Sequence, residues 1–383
     1  MLASMWKRAD FAQAGAAFMT LKVLLGFSGL YHFPPIVDNI LLCLALLFFA
    51  LSFLQSGIPH IKKLILPAIL GIVAFYTCVV IDDSSILITL ISLCVLRYCN
   101  VRRFFEAVLW VTLWFCAIHM VAAVLISILV IPDPFVLISR DHLRFTFGFV
   151  HSNSFSALAI SAMMLFLWLY GENHFWEKIC ISAVVLFLIF MCTYSRTAIL
   201  VGMICLAMLA FARWKPPVKV LRIVLRVIIP TLSIFMLLMM ILYLRQNWFA
   251  LKVNSMINNR VLLGAAAYEH MGLSLFGQFI PFVEEMMPSL LEGLDAFTFD
   301  NCYTYFWVQG GIFWLLVLSW GFFRAAPRLT PTDSVLLIAW ALYAMCENTA
   351  LNGYLMFPIF LISQTWEDVK LPAFLSRIQK PKR

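Results

Sequence analysis

The sequence predicts an all-α polytopic membrane protein with about twelve transmembrane helices (ten to twelve) and one large external loop. Three observations predict it. Charged residues are 12% of the 383 and hydrophobic residues 63%, against roughly 25% charged in a soluble domain. Mean hydropathy is +0.96. Runs such as "ILLCLALLFFALSFL" and "LSIFMLLMMILYL" suit hydrocarbon, which takes about 20 mostly apolar residues to cross.

The spans follow in order: 11–31, 36–54, 64–82, 84–98, 104–131, 150–170, 177–194, 196–212, 218–243, 303–323, 333–347 and 350–365. The span 84–98 is short and the last two are close together, so ten or eleven crossings also fit. The chain reads as one integral membrane domain, with external loops at 132–154 and 244–302 and a cytoplasmic tail at 366–383. The apolar run after "MWKRAD" reads as a retained helix, not a cleaved signal. Neither an internal repeat nor a pair of broken helices is evident.

Basic residues set the orientation, since short cytoplasmic loops collect Lys and Arg. With both termini in the cytoplasm, twenty of the 27 lysines and arginines fall inside. Six fall outside (Arg140, Arg144, Arg196, Arg245, Lys252 and Arg260), and Lys22 lies within the first span. Lys22 is expected to snorkel toward an interface, with a polar cleft as the alternative. The net charge of +8 is therefore mostly a topology signal, and no motif points to nucleic acid. The ten cysteines stand mostly singly in apolar runs and read as small hydrophobes. The pair Asp82–Asp83, without further ligands, reads as a loop marker.

Five of the six outer cations are arginines, whose fork of donors suits phosphate and pyrophosphate oxygens. For any one of them a helix cap or a lipid headgroup is a sufficient account; for the set, a bound anion is the better one. Arg196 sits in "TYSRTAIL", between two apolar runs. A guanidinium at the membrane face, beside Thr193, Tyr194 and Ser195, is costly without a partner. It is fixed either by backbone carbonyls in a tight turn or by a lipid-linked phosphate. In "RFTFGFVHSNSFSALAI", Ser152 or Asn153 suits an N-cap. His151 is not called for by capping, and an imidazole can donate to a phosphate or a sugar hydroxyl.

Four segments in order carry a resemblance: "TFGFVHSNSFSALA", "TYSRTAIL", "INNRVLLGAAAYEHMGLSLFGQ" and "DNCYTYFWVQGGIFWLL". Together they cover about 144–314, and the chain resembles the bacterial O-antigen and capsular polysaccharide polymerases of the Wzy type. The resemblance implies a multi-spanning glycosyltransferase of the GT-C kind in the bacterial cytoplasmic (inner) membrane. Its substrates would be oligosaccharide repeat units on undecaprenyl pyrophosphate, joined at the outer membrane face, with no metal and no cofactor. A chain-length regulator and a flippase are the protein partners it implies. Related O-antigen ligases, which move a finished glycan to an acceptor lipid, are the alternative. In ligases the last motif begins with a histidine; here Asp300 takes that place.

The chemistry asks for two kinds of group. A departing pyrophosphate gains negative charge, which fixed cations stabilise; Arg196 and Arg260, with Arg140 or Arg144, suit that role. The acceptor is a neutral hydroxyl and needs a base. Asp300 is the first candidate, with an N-cap role as its bland alternative, and His270 is the second. His151, Asn153, Tyr194, Ser195, Arg245, Asn301 and Tyr303 complete the set expected to meet substrate. The long loop 244–302 fits a sugar-binding lid whose aromatic residues can stack on sugar rings, though an interfacial helix is their preferred structural role. A transporter or flippase shares the helix count, but its usual repeats and paired broken helices are not legible here.

Overall fold

The computed structural model describes residues 10–31, 33–56, 61–129, 136–139, 142–215, 217–280 and 299–368. Arg140 and the loop stretch 281–298 lie outside them. Helices dominate: α1 (Phe11–Gly26), α2 (Pro35–Ser56), α3 (Ile61–Ile81), α4 (Ser85–Leu96) and α5 (Val101–Leu129) come first. A short antiparallel hairpin, β1 (Val136–Ser139) and β2 (His142–Phe145), follows with Leu137 opposite Arg144. Then come α6 (Ser152–Tyr170), α7 (Phe175–Thr193), α8 (Arg196–Trp214), α9 (Val218–Leu244), α10 (Trp248–Met256) and α11 (Arg260–Met271). The one-turn α12 (Cys302–Tyr305) runs into a π turn at Phe306–Gly310, followed by α13 (Ile312–Ala325) and α14 (Pro331–Tyr343).

Seven helices among the described residues are long and apolar enough to cross a membrane: α2, α3 from Leu64, α5, α6, α7, α8 and α9. The expected twelve therefore divide unevenly. The span at 84–98 is a helix of 12 residues and that at 11–31 one of 16, about 18 and 24 Å long. The span at 303–323 is interrupted, and that at 350–365 is 3₁₀ rather than α. Outward faces are strongly apolar, with Ile72, Val79 and Ile128 at least 66% exposed. The fold is that of a helical membrane protein. α6 is its central helix: 72% of its most apolar stretch is buried, against 17–39% in the other six. It is rich in small residues, with Ser152, Ser154, Ser156, Ala157 and Ser161 all buried, which lets neighbours approach closely.

Two irregular stretches lie inside this bundle, and polar side chains satisfy their backbones as a low-dielectric interior demands. The C-terminal one carries 3₁₀ helices at Asn348–Leu351 and Phe357–Asp368. Thr89 donates to Leu351 O, Trp340 Nε1 to Ala350 O, and Phe357 N to Ser161 Oγ. The Thr89 hydroxyl also accepts from Gly353 N.

The other stretch is the interrupted helix at 302–325, which the sequence pattern did not disclose. Gly311, at φ 105°, breaks it. The chain after α11 lies alongside: Ser274 N donates to Trp307 O, Gln278 N to Gln309 O, Ile312 N to Ser274 O and Phe313 N to Leu275 O. A Cβ on Gly311 would stand 2.8 Å from Gly277 N and Leu275 O, so only glycine admits the strap. Lys22 has a partner: its Nζ lies 3.4 Å from Asp38 Oδ2 in the first turn of α2.

Candidate functional site

Five segments converge at one end of the bundle. The first is the turn into α6. Gly148 has φ 79°, and a Cβ there would lie 2.9 Å from Leu30. Its carbonyl accepts from His119 Nε2 at 2.8 Å and from Gly29 N at 2.8 Å. The turn is thereby fixed, and Arg144 and Asn153 face one another beyond it. Arg144 Nη2 donates to Asn153 Oδ1 at 3.2 Å, and its Nε donates to Thr193 O at 3.0 Å.

Thr193 ends α7. Its hydroxyl accepts from Ser156 on α6 at 2.9 Å, which ties the two helices together. Tyr194 follows in the left-handed region, at φ 53°. A bulky residue there costs of order 1–3 kcal/mol and marks a turn held by its surroundings. The turn sends the chain straight into α8, with Ser195 buried and Arg196 exposed at its first position.

α11 brings Arg260. Asn258 and Asn259 both take left-handed backbone, at φ 54° and 63°, which asparagine tolerates better than most residues. Asn254 holds the turn: its Nδ2 donates to Asn259 Oδ1 at 3.0 Å, and its Oδ1 accepts from Leu262 N at 2.8 Å. Arg260 is 5% exposed and meets two carboxylates. Its Nη2 lies 2.7 Å from Glu347 Oε1, and its Nε 3.5 Å from Asp300 Oδ2.

The carboxylates are carried by the start of α12 and the exit of α14. Asn301 caps α12, accepting from Tyr303 N and Thr304 N at 2.8 and 3.1 Å. Its amide donates to Met345 O, and Cys302 N donates to Ala344 O. These bonds knit the two segments and set Asp300 beside Glu347. Glu347 then accepts from Asn153 Nδ2 at 3.3 Å, closing a chain that runs Arg144, Asn153, Glu347, Arg260, Asp300.

Charge here is unevenly compensated. Burial pushes the Glu347 carboxyl up to about 7, opposed by the Arg260 guanidinium. Burial likewise works against the Arg260 charge, but Glu347 and Asp300 more than restore it, so its pKa rises. The ion pair at 2.7 Å thus offsets the burial of Glu347 only in part. Arg144 is lowered, first by burial and then by neighbouring Arg196, with Glu347 opposing. Arg196 therefore lies near enough to disfavour the Arg144 charge, as a neighbouring like charge does.

The expected site residues separate into three groups. Arg144, Asn153, Arg260 and Asp300 meet in one network, with Arg196, Tyr194 and Ser195 at its edge. Asn301 and Tyr303 do structural work: Asn301 is fully buried as the cap, and the Tyr303 hydroxyl donates to Ala341 O at 2.9 Å in the core. Asp300 is not the cap. His151, Arg245 and His270 are exposed. His151 takes the N-cap position of α6 without a side-chain bond to it. His270 ends α11, ten residues beyond Arg260 and so about 15 Å along the helix. Glu347 is the member that sequence reading missed. It is the sole charged residue between Asp333 and Glu367, and an ionisable side chain in an apolar run is a functional-site signal. Among the described residues no three His, Cys, Asp or Glu side chains gather to hold a metal ion.

The fold and this cluster define a polytopic helical membrane protein with a partly buried Arg/carboxylate network at one end of its bundle. No family model matches the chain, and no curated protein or solved structure matches it either.

Proposed function

We propose that this protein is a polysaccharide polymerase that joins oligosaccharide repeat units carried on a polyprenyl pyrophosphate. The observation that carries the reading is the convergence of Arg144, Arg196 and Arg260 with Asp300, from segments far apart in the chain. The donor pyrophosphate binds at Arg144 and Arg196, whose charges act on one another across the α7–α8 turn. Asp300, with its side chain 38% exposed, accepts the proton of the attacking sugar hydroxyl. The new glycosidic bond forms as the sugar–phosphate C–O bond breaks, and the pyrophosphate leaves with the electron pair. Glu347 and Asn153 hold Arg260 and Arg144 in register. The basic-loop end of the bundle then faces the cytoplasm of a bacterial cell, and the cluster faces the outer side of its inner membrane.

The test is polymer formation from purified lipid-linked repeat units by the protein in nanodiscs. Products longer than one repeat, lost in Arg196→Lys and Asp300→Asn, support the reading. Transfer only to an acceptor lipid points to a ligase. One observation favours a second reading: the helix interrupted at Phe306–Gly311 resembles the discontinuous helices of transporters. Uptake or flipping of a lipid-linked sugar without bond formation would establish it.

A further inference from the structure

At the opposite end of the bundle a cavity of 560 Å³ opens between α5, α6, α7, α8 and the start of α14. Trp168 forms part of its wall and donates through Nε1 to Asp333 Oδ1 at 2.7 Å. Asp333 is committed elsewhere as well. It accepts from Thr330 N and Oγ1 at 3.1 and 2.7 Å in a capping box at the start of α14. Its negative charge is thus spread over three donors.

Two guanidinia line the same cavity. Arg102 reaches Leu169 O at 3.4 Å and Glu106 at 3.1 Å. Arg213 stands over the Phe175 ring at 5.6 Å, and none of the ion pairs among the described residues includes it. Glu172, the one other acid of the lining, is exposed. Next in the chain to the lining residues Phe175, Ala212 and Arg213, Trp176, Phe211 and Trp214 are 57%, 53% and 75% exposed, and exposed aromatic residues at helix ends suit the headgroup level of a bilayer.

We propose that this cavity binds the phosphate headgroup of an anionic phospholipid in the adjoining leaflet. Arg213, exposed on this lining and outside the ion pairs among the described residues, has the donor geometry for a phosphodiester. The exposed apolar face of α7, including Ile181 at 60%, continues from the mouth and gives the acyl chains a track. Glycerol phosphate shares the headgroup chemistry but lacks that track. The site is independent of any glycan chemistry at the far end.

The test is the melting temperature of the purified protein in detergent, titrated with phosphatidylglycerol, phosphatidylcholine or glycerol phosphate. Phosphatidylglycerol is expected to raise it saturably, and the other two are not. Arg213→Gln should weaken the apparent affinity about tenfold, as loss of a charge-assisted contact does. Arg97→Gln, a cation outside the cavity, should leave it unchanged. Arg213→Lys, which keeps the charge and the fold, should fall between. An equal response to phosphatidylcholine, or an unchanged response in both Arg213 variants, overturns the site. A full response to glycerol phosphate overturns the lipid as its source.

Discussion

Arg260 and Glu347 are 87 residues apart in the chain, yet Nη2 and Oε1 lie 2.7 Å apart, with both side chains more than nine-tenths buried. The pair joins the start of α11 to the exit of α14 and so fixes where Asp300 stands. Removing one partner of such a pair costs about 3–5 kcal/mol. Arg260→Ala is expected to lose stability of that order in a denaturation series. Arg260→Lys keeps the charge without the fork, so it should stay folded and still lose most polymer formation. Full activity in Arg260→Lys would make the fork dispensable.

Asp300→Asn separates chemistry from folding. Asn301 caps α12, so the substitution leaves the cap intact. Loss of the proton acceptor predicts a rate lower by about 10²–10⁴-fold, measured on purified lipid-linked repeat units. His270→Ala, on a side chain exposed at the far end of α11, is expected to retain near-normal turnover. The reverse pattern would move the base to His270.

Turnover and stability are expected to respond to pH in opposite directions. Below about 7 Glu347 takes a proton and loses the charge that holds Arg260 and Asn153, so activity should drop toward acid. A carboxyl raised by folding contributes stability that is present below its ordinary pKa and lost as pH rises through about 7. Melting temperature and rate, measured on one preparation from about pH 6 to about pH 8, report both limbs. Glu347→Gln should flatten the two profiles together. Wild-type activity that does not change over this range would remove Glu347's charge from the mechanism.

The orientation has a direct readout. Ser255, exposed near the end of α10, is expected to face outward. Ser255→Cys should add labelling by an impermeant thiol reagent in intact cells or spheroplasts. Labelling that rises only after lysis would reverse the topology.

The apolar spans were legible because hydropathy alone separates them, and seven of the expected crossings are helices of sufficient length. The broken span at 303–323 was not. Its composition is continuous, and the interruption at Gly311 depends on a strap arriving from residues 274–278. The 3₁₀ course after Asn348 was hidden for a similar reason: Thr89 and Ser161, which satisfy its backbone, look like ordinary polar interruptions of apolar runs. Within the site, the arginines stood out by breaking the charge rule of the loops. Glu347 did not, because it closes an apolar run and its partner is remote in sequence. Asn301 and Tyr303 shared a motif with Asp300, but only packing reveals that they face the core.

The strap has a bearing on how this chain tolerates changes of length. It donates to Trp307 O and Gln309 O and accepts from Ile312 N and Phe313 N, so one residue inserted between Gly272 and Gln278 would shift the whole ladder. The Trp307 and Gln309 carbonyls of the π turn would then lose the donors they have in Ser274 N and Gln278 N. Natural variation in length is accordingly expected to spare 272–278 and 306–313 as a matched pair, and to change in step if either one changes.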